Sequence, residues 1–286
     1  MSEAALPRAG FSVWIMAARP RTLAASIAPV IVGAAAAGMA RPVAAALCLL
    51  SSLFIQIGTN LANDYSDFKR GADAERVGPR RVTQSGLVQP LQVKRAAWLA
   101  FGGAGVVGIA LTALAGWPIV AIGVASVASG WLYTGGPWPL GYHGLGDLFV
   151  FVFFGLVATC GTAYTQALAV PPQAWPAAVA VGALATAILV VNNLRDRDTD
   201  VKVGKNTLAV KLGARWTRVE YVVLLLIAFA IAPLLGRPWP LLALPLAWPP
   251  LRRVLRQDGA ALNPALGETA RLQLVFSLLL ALELWP

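Results

Sequence analysis

The chain has 286 residues, of which 58% are hydrophobic and only 13% charged, and its mean hydropathy is +0.68. A soluble domain of this size carries about twice that charged fraction, so the composition argues against a water-soluble globule and for a polytopic membrane protein. The formal net charge of +10 raises nucleic-acid binding as a reading, which the placement of the basic residues has to decide.

A transmembrane helix needs roughly 20 mostly apolar residues. In chain order this gives nine candidate spans, at 13–38, 42–63, 95–115, 117–134, 147–169, 173–194, 217–236, 238–254 and 268–285, the fourth and eighth being short. Their Ala/Leu/Val runs lack the alternation of an outer-membrane barrel, and helices are the remaining way to satisfy backbone groups in lipid. The expected fold is all-α, one domain over residues 1–286, with about nine transmembrane helices in one bundle around a central cavity. The first span contains Arg19-Pro20-Arg21 and lacks the short apolar region and cleavage site of a secretory signal, so it reads as retained. Cys48 and Cys160 each fall inside an apolar span and read as packing residues.

With the N-terminus inside, 21 of the 23 Lys and Arg residues fall on one side, all but Arg41 and Arg237. The positive-inside rule predicts this asymmetry for nine spans. The basic charge therefore reports topology, with the N-terminus and the acidic motifs cytoplasmic and the C-terminus external, and no nucleic-acid partner is expected.

Six of the eight Asp residues lie in two clusters, "NLANDYSDFKRGAD" at 60–73 and "NNLRDRDTD" at 192–200. Each follows an apolar run, each carries Asn (Asn60, Asn63, Asn192, Asn193), and each leads into a basic, glycine-containing loop. The pattern reads as a weak internal duplication with its two acidic ends brought face to face. Residues three and four apart share a helix face, so Asn60, Asp64 and Asp67 are expected on one ridge and Asn192, Asp196 and Asp200 on another. Solvated loop ends are the bland alternative, and the recurrence of the Asn-three-residues-Asp spacing weighs against it. Asp198 points off its ridge and reads as solvated. Asp147, in "GLGDLF", is open between a helix start and a site residue.

Ionisable groups at membrane depth default to function, and like-charged carboxylates on one face call for positive charge among them. Oxygen ligands with no His or Cys nearby fit a hard cation, Mg²⁺ in particular, held by a few carboxylates plus substrate phosphates. Asn60, Asp64, Asp67, Asp196 and Asp200 are the expected ligands. Neighbouring basic residues suit a metal-bridged pyrophosphate. Lys205, after Gly204 in "GKNTLAV", can meet phosphate oxygens, although the spacing is not that of a P-loop. Lys69, Arg70, Arg80 and Arg81 either do the same or merely mark the cytoplasmic side.

These residues resemble the UbiA-type intramembrane aromatic prenyltransferases, whose motifs match Asn60, Asn63, Asp64 and Asp67 after the second span and Asp196 and Asp200 after the sixth. The third acid of the first motif departs from the pattern: Gly71 holds its place, and the role passes to Asp73. The stretches "ARPRTLAASIAPVIVG", "RVGPRRVTQSG" and "YTGGPWPLGYHGLGDLFVFVFFG" are similar to the branch that prenylates 1,4-dihydroxy-2-naphthoate in menaquinone synthesis. The 4-hydroxybenzoate branch, by contrast, carries R-P-L-x-S-G and a basic pair after the tyrosine matching Tyr133.

The resemblance implies a bacterial inner-membrane enzyme with two substrates, polyprenyl diphosphate and 1,4-dihydroxy-2-naphthoate. Two Mg²⁺ ions bridge the diphosphate to the catalytic carboxylates Asp64, Asp67, Asp73, Asp196 and Asp200. Substrate contacts are expected from Asn60, Asn63, Lys69, Arg81, Tyr133, Asn192, Lys205 and Arg21. Tyr65 and Tyr133 are candidates to shield an allylic cation, and His143 or Arg21 to meet the acceptor carboxylate. A transporter is the rival from another class, but carriers place their charges near the bilayer midplane rather than at helix ends. A CDP-alcohol transferase lacks its D-G-x-x-A-R stretch here.

Overall fold

The computed structural model describes residues 10–72, 77–236 and 238–285, with the side chain of Arg21 outside the description. The helices are α1 (Phe11–Ala18), α2 (Pro20–Ala36), α3 (Pro42–Lys69), α4 (Pro90–Ala115), α5 (Pro118–Leu132), α6 (Gly146–Val150), α7 (Ala158–Ala167), α8 (Ala174–Lys202), α9 (Leu208–Ile231), α10 (Leu244–Arg256) and α11 (Asn263–Leu284). A π-helical stretch, Phe151–Val157, joins α6 to α7. No strand occurs among the described residues.

Six helices are long and apolar enough to cross a membrane, or seven if α1 and α2, bent by 61°, form one span. The full nine are therefore not reached among the described residues. The expected span 117–134 becomes α5, of 15 residues, which reaches only about 22 Å at 1.5 Å per residue against a hydrocarbon core of about 30 Å. The expected span 238–254 is divided into a short 3₁₀ turn at Trp239–Ala243 and the 13-residue α10, which carries Pro249 and Pro250 inside.

Proline starts these helices. Pro20, Pro42, Pro90 and Pro118 each open one, at the position where the missing N–H has no helical partner to lose. Pro20 also disfavours helical geometry at the residue before it. Arg19 leaves the right-handed helical region for a left-handed conformation, φ 55°, and α1 ends there. Asn60 Nδ2 on α3 donates to the carbonyl of Ala18 at 2.9 Å, which ties the break to the second span.

The centre of the bundle is α8, whose apolar part is the most buried of the six. It is rich in alanine, and Ala177, Ala180, Val181, Ala183, Leu184 and Ala187 are sealed against α9, α11 and α2 by Tyr221, Phe276, Leu272 and Val32. Lipid gives no hydrophobic drive between helices, so close packing through small residues has to supply it. Gly182 on α8 shows how close: a Cβ added at Gly155 would lie 2.7 Å from its Cα. Outward, Leu99, Val106, Ile109, Leu226 and Leu282 are largely exposed, a lipid-facing surface.

The two longest helices are the two that carry the acidic clusters, α3 with 28 residues and α8 with 29. At 1.5 Å per residue each runs about 42 Å, so the last turns stand clear of the core. Their expected ends at 63 and 194 fell short, because polar residues do not stop a helix. Glycine does: Gly71 and Gly204 both take φ 69°. Gly71 N donates to Phe68 O and Ala72 N to Asp67 O, at 3.0 and 2.9 Å. Gly204 N donates to Val201 O and Lys205 N to Asp200 O, at 3.2 and 2.9 Å. This is one Schellman cap used twice, with Asp67 and Asp200 at the same place in it.

The Gly155–Gly182 contact supplies a test. Gly155→Val places carbon against backbone that has no freedom to move, and overpacking of this kind typically costs about 1–3 kcal/mol. The thermal midpoint of the detergent-solubilised protein should drop. Gly102→Val, at a helical position where an added Cβ meets nothing within 4 Å, should leave it unchanged.

Candidate active site

Both acidic helix ends open into a single cavity of about 890 Å³. One end is polar, lined by Arg19, Thr22, Asn60, Asn63, Asp67, Arg81, Asn192, Asn193, Asp196 and Lys205. The rest is apolar and runs beside α4 and α5 from Gly130 to Ile119, with Phe149, Phe153, Phe154 and Val157 on the facing wall. Helix α5 packs mainly against α3 and α4 and meets the Phe151–Ala167 stretch only locally, through Ile119 and Ile122 near Gly161 and Tyr164.

Three buried carboxylates at the polar end are paired with cations. Asp67 accepts from Arg81 Nη2 at 2.7 Å and from the Tyr142 hydroxyl at 2.9 Å. Asp196 is gripped by both Nε and Nη2 of Arg195, at 2.7 and 2.6 Å. Arg195 Nη2 also donates to Asn192 Oδ1 at 2.8 Å. Asp200 Oδ1 lies 3.4 Å from Lys205 Nζ, while its buried Oδ2 has no hydrogen-bond partner among the described residues. On α3, Asn63 Oδ1 accepts from Thr134 at 2.7 Å. The loop Tyr142–His143 spans both helices, since the Tyr142 ring stacks under Arg70 and Lys205, with the cations 5.2 and 5.7 Å from its centroid. Burial, and then the nearby Asp67 carboxylate, push the Tyr142 hydroxyl above its usual range. The Tyr142 hydroxyl stays a protonated donor to Asp67.

The ridge geometry expected on α3 changes. Asn60, Asn63 and Asp67 face the cavity, whereas Asp64 turns away and is not part of the wall. Its Oδ2 accepts from the backbone N–H of Val82 at 3.1 Å, and its Oδ1 from that of Thr83 at 3.2 Å and from the Thr83 hydroxyl. Three donors from one loop explain the rotation. Asp64 fastens the segment that delivers Arg81 to Asp67.

Other expected residues divide. Asn60, Asn63, Asp67, Arg81, Tyr133, Asn192, Asp196 and Lys205 share the cavity wall, and Asp200 sits behind Lys205. Lys69 is exposed and lies over the ring of Tyr65, which it shares with Lys94, so neither Lys69 nor Tyr65 reaches the cavity. His143 stacks on Trp138 and bonds Pro139 O at 2.9 Å, away from the wall. Asp198 is exposed and paired with Arg197, as its off-ridge position implied. Asp147 is buried at the start of α6 and is not on the wall. Asp73 and the Arg21 side chain lie outside the described residues. Arg19, Asn193, Arg195 and Tyr142 were missed. The Arg19-Pro20 step signals the first, but nothing local marks Tyr142.

The donor set fits a hard divalent cation. It consists of carboxylate and amide oxygens, one of them the buried, unpartnered Asp200 Oδ2, without His or Cys. Among the described residues no three acidic, His or Cys side chains gather closely enough to hold a metal by themselves. An ion here would take single carboxylates from α3 and α8, asparagine oxygens and oxygens of a bound phosphate, which is the usual manner of Mg²⁺.

The UbiA prenyltransferase family model matches residues 26–265. The 1,4-dihydroxy-2-naphthoate octaprenyltransferase of Mycobacterium tuberculosis is 43% identical over 96% of this chain and 97% of its own length. The enzyme of the same name from Escherichia coli K12 is 38% identical, over 95% and 94%. Among solved structures, a digeranylgeranylglyceryl phosphate synthase superposes with a TM-score of 0.63 at 16% identity, over 96% of this chain and 98% of that one. A UbiA homologue from Archaeoglobus fulgidus bound to GPP and Mg²⁺ gives 0.59 at 16%, over 94% and 99%.

The reassigned Asp64 can be checked without turnover. Asp64→Asn and Thr83→Val should both speed hydrogen exchange at Val82 and Thr83 while leaving Mg²⁺ affinity within about twofold, since each removes part of a loop clasp worth on the order of 1 kcal/mol per bond. A large loss of Mg²⁺ binding in Asp64→Asn with unchanged loop exchange would return Asp64 to the metal.

Proposed function

The chain belongs to the UbiA prenyltransferase family, and on that premise we propose that it transfers a polyprenyl group from polyprenyl diphosphate to 1,4-dihydroxy-2-naphthoate, releasing CO₂ and giving demethylmenaquinol, the reduced form of demethylmenaquinone. The observation that carries this reading is the single cavity joining both acidic helix ends to an apolar channel. One substrate has to present a polyanionic diphosphate and a long hydrocarbon tail to the same protein, and this cavity offers a place for each. The naphthoate names of relatives 38–43% identical over nearly the whole chain support the acceptor.

Lys205 and Arg81 sit where they can meet diphosphate oxygens, and the carboxylates of Asp67, Asp196 and Asp200 repel those oxygens unless a divalent cation lies between them. When bound, Mg²⁺, in our reading two ions, neutralises the charge that builds on the leaving diphosphate. Asn63 and Asn192 add neutral oxygens from the two helices. The allylic C–O bond breaks with both electrons going to diphosphate. The electron-rich ring forms the new C–C bond at the carbon bearing the carboxylate, and that carboxylate leaves as CO₂, returning its electron pair to the ring. Charge and protons balance without an added acid. Phe149, Phe153 and Tyr133 line the stretch nearest the polar end and keep water from the cation, which their ring faces also stabilise.

Incubation of the purified protein with carboxyl-labelled dihydroxynaphthoate, polyprenyl diphosphate and Mg²⁺ should release the label as CO₂, and chelator should abolish the reaction. Asp67→Asn or Asp196→Asn should lower turnover on the order of a hundredfold or more. Label kept in a prenylated product, or equal turnover of 4-hydroxybenzoate, would move the chain to another acceptor class.

We also place the acidic ends and the N-terminus in the cytoplasm of a bacterial cell, on the strength of the basic asymmetry. A periplasm-active reporter fused after Pro286 should then be active, and activity of a cytoplasm-only reporter at that point would overturn the orientation.

A further inference from the structure

Helices α9 and α10 border a second groove of about 350 Å³, lined by Arg215, Arg218, Val219, Val222, Val223 and Leu255, none of which lines the catalytic cavity. We propose that this groove holds one anionic phospholipid, with its headgroup at the arginine rim and an acyl chain along the apolar floor.

The groove is graded from charge to hydrocarbon. On α10, Arg252, Leu255 and Arg256 share a face, being three and four residues apart, and all three are exposed. On α9 the stripe runs from Arg215 through Val219 and Val223 to Leu226, which is 63% exposed. Trp216 and Trp248, 59% and 65% exposed, flank it in the manner of interfacial aromatics.

Charge complementarity fixes the occupant. Several basic side chains at this end of the bundle are already paired: Arg81 with Asp67, Arg195 with Asp196, Lys205 with Asp200, Arg253 with Glu268. Arg218, at the groove itself, is committed to Asp258 and to the carbonyls of Val254 and Gln257, which end α10. Arg215, Arg252 and Arg256 make no ion pair among the described residues. Arg215 on the groove wall, with Arg252 and Arg256 on the α10 face that carries Leu255, outnumber the part-buried Glu220 beside Val219 and match a headgroup bearing a net negative charge. A zwitterionic headgroup would bring its own ammonium to the same rim.

The test uses the full-length protein in detergent, with phosphatidylglycerol, phosphatidylcholine or inorganic phosphate titrated and bound lipid counted by native mass spectrometry. Two rim arginines, each worth roughly fivefold near an anionic surface, make Arg252→Gln/Arg256→Gln about 25-fold weaker for phosphatidylglycerol. Lys94→Gln/Arg95→Gln removes equal charge outside the groove and should change binding less than about twofold by the same reckoning. Val219→Trp fills the floor without altering charge and should also expel the lipid. None of these variants touches the catalytic cavity, so retained prenyl transfer in detergent certifies their folding. Equal losses in the two charge variants, equal retention of phosphatidylcholine, undiminished binding in Val219→Trp, or displacement by inorganic phosphate would each overturn the proposal.

Discussion

A carboxylate at the edge of a hydrocarbon layer has to be matched by positive charge, and the polar end of this bundle is arranged around that requirement. Taking an ion out of water costs several kcal/mol, and a buried pair recovers it only with good geometry and further hydrogen bonds. Asp196 meets that condition with a two-point grip by Arg195, and Asp67 with Arg81 plus the Tyr142 hydroxyl. Asp200 meets it only halfway, through Lys205 at 3.4 Å. The least satisfied carboxylate is the one with most to gain from a metal ion. On the proposed reading, a diphosphate between Arg81 and Lys205 would compete for the cations that the carboxylates now hold, and a divalent ion would complete the exchange of partners.

The two acidic helices solve this problem with the same device. A shift of 133 residues lays Asn60 on Asn193, Asn63 on Asp196, Asp67 on Asp200, Lys69 on Lys202 and Gly71 on Gly204. The glycines take the same φ, and the caps they close take the same hydrogen bonds. Asp64 has Arg197 as its counterpart and falls outside the repeat, as it falls outside the cavity. The loop bearing Tyr142 joins the halves: its hydroxyl reaches Asp67, and its carbonyl accepts from Asn206 N at 3.1 Å. That bridge covers the polar end and limits water at the place where a cation would form.

Hydropathy marks where the chain crosses lipid, and the two Asn/Asp clusters mark the site, because carboxylates are costly in so apolar a background unless they serve a polar ligand. Orientation about the helix is harder to read. A period of 3.6 allows both the ridge Asn60–Asp64–Asp67 and the ridge Asn60–Asn63–Asp67. The choice falls to Val82 and Thr83, fifteen or more residues away, whose N–H groups draw Asp64 aside. Arg195 lies inside the motif, yet its pairing with the adjacent Asp196 depends on the side chains of Asn192 and Asn263 that orient it. The short α5 and the proline-bearing α10 are visible in the sequence as weak spans, and length alone does not say that they end early.

The shortness of α5 bears on what the enzyme selects. A cavity closed on all sides would set an upper limit on tail length, because each additional isoprene unit would need room inside the protein. Here α5 meets the Phe151–Ala167 stretch only locally, near Ile122 and Gly161, and the cavity wall includes residues from both elements. A tail longer than the channel can continue between the helices into the bilayer, where hydrocarbon is as favourable as it is against Phe153 or Val124. Extra units then add little to the difference between bound and free states, since they move from lipid to lipid. On the proposed reading, discrimination then comes from the diphosphate, the first isoprene units and the acceptor ring, and not from the far end of the tail.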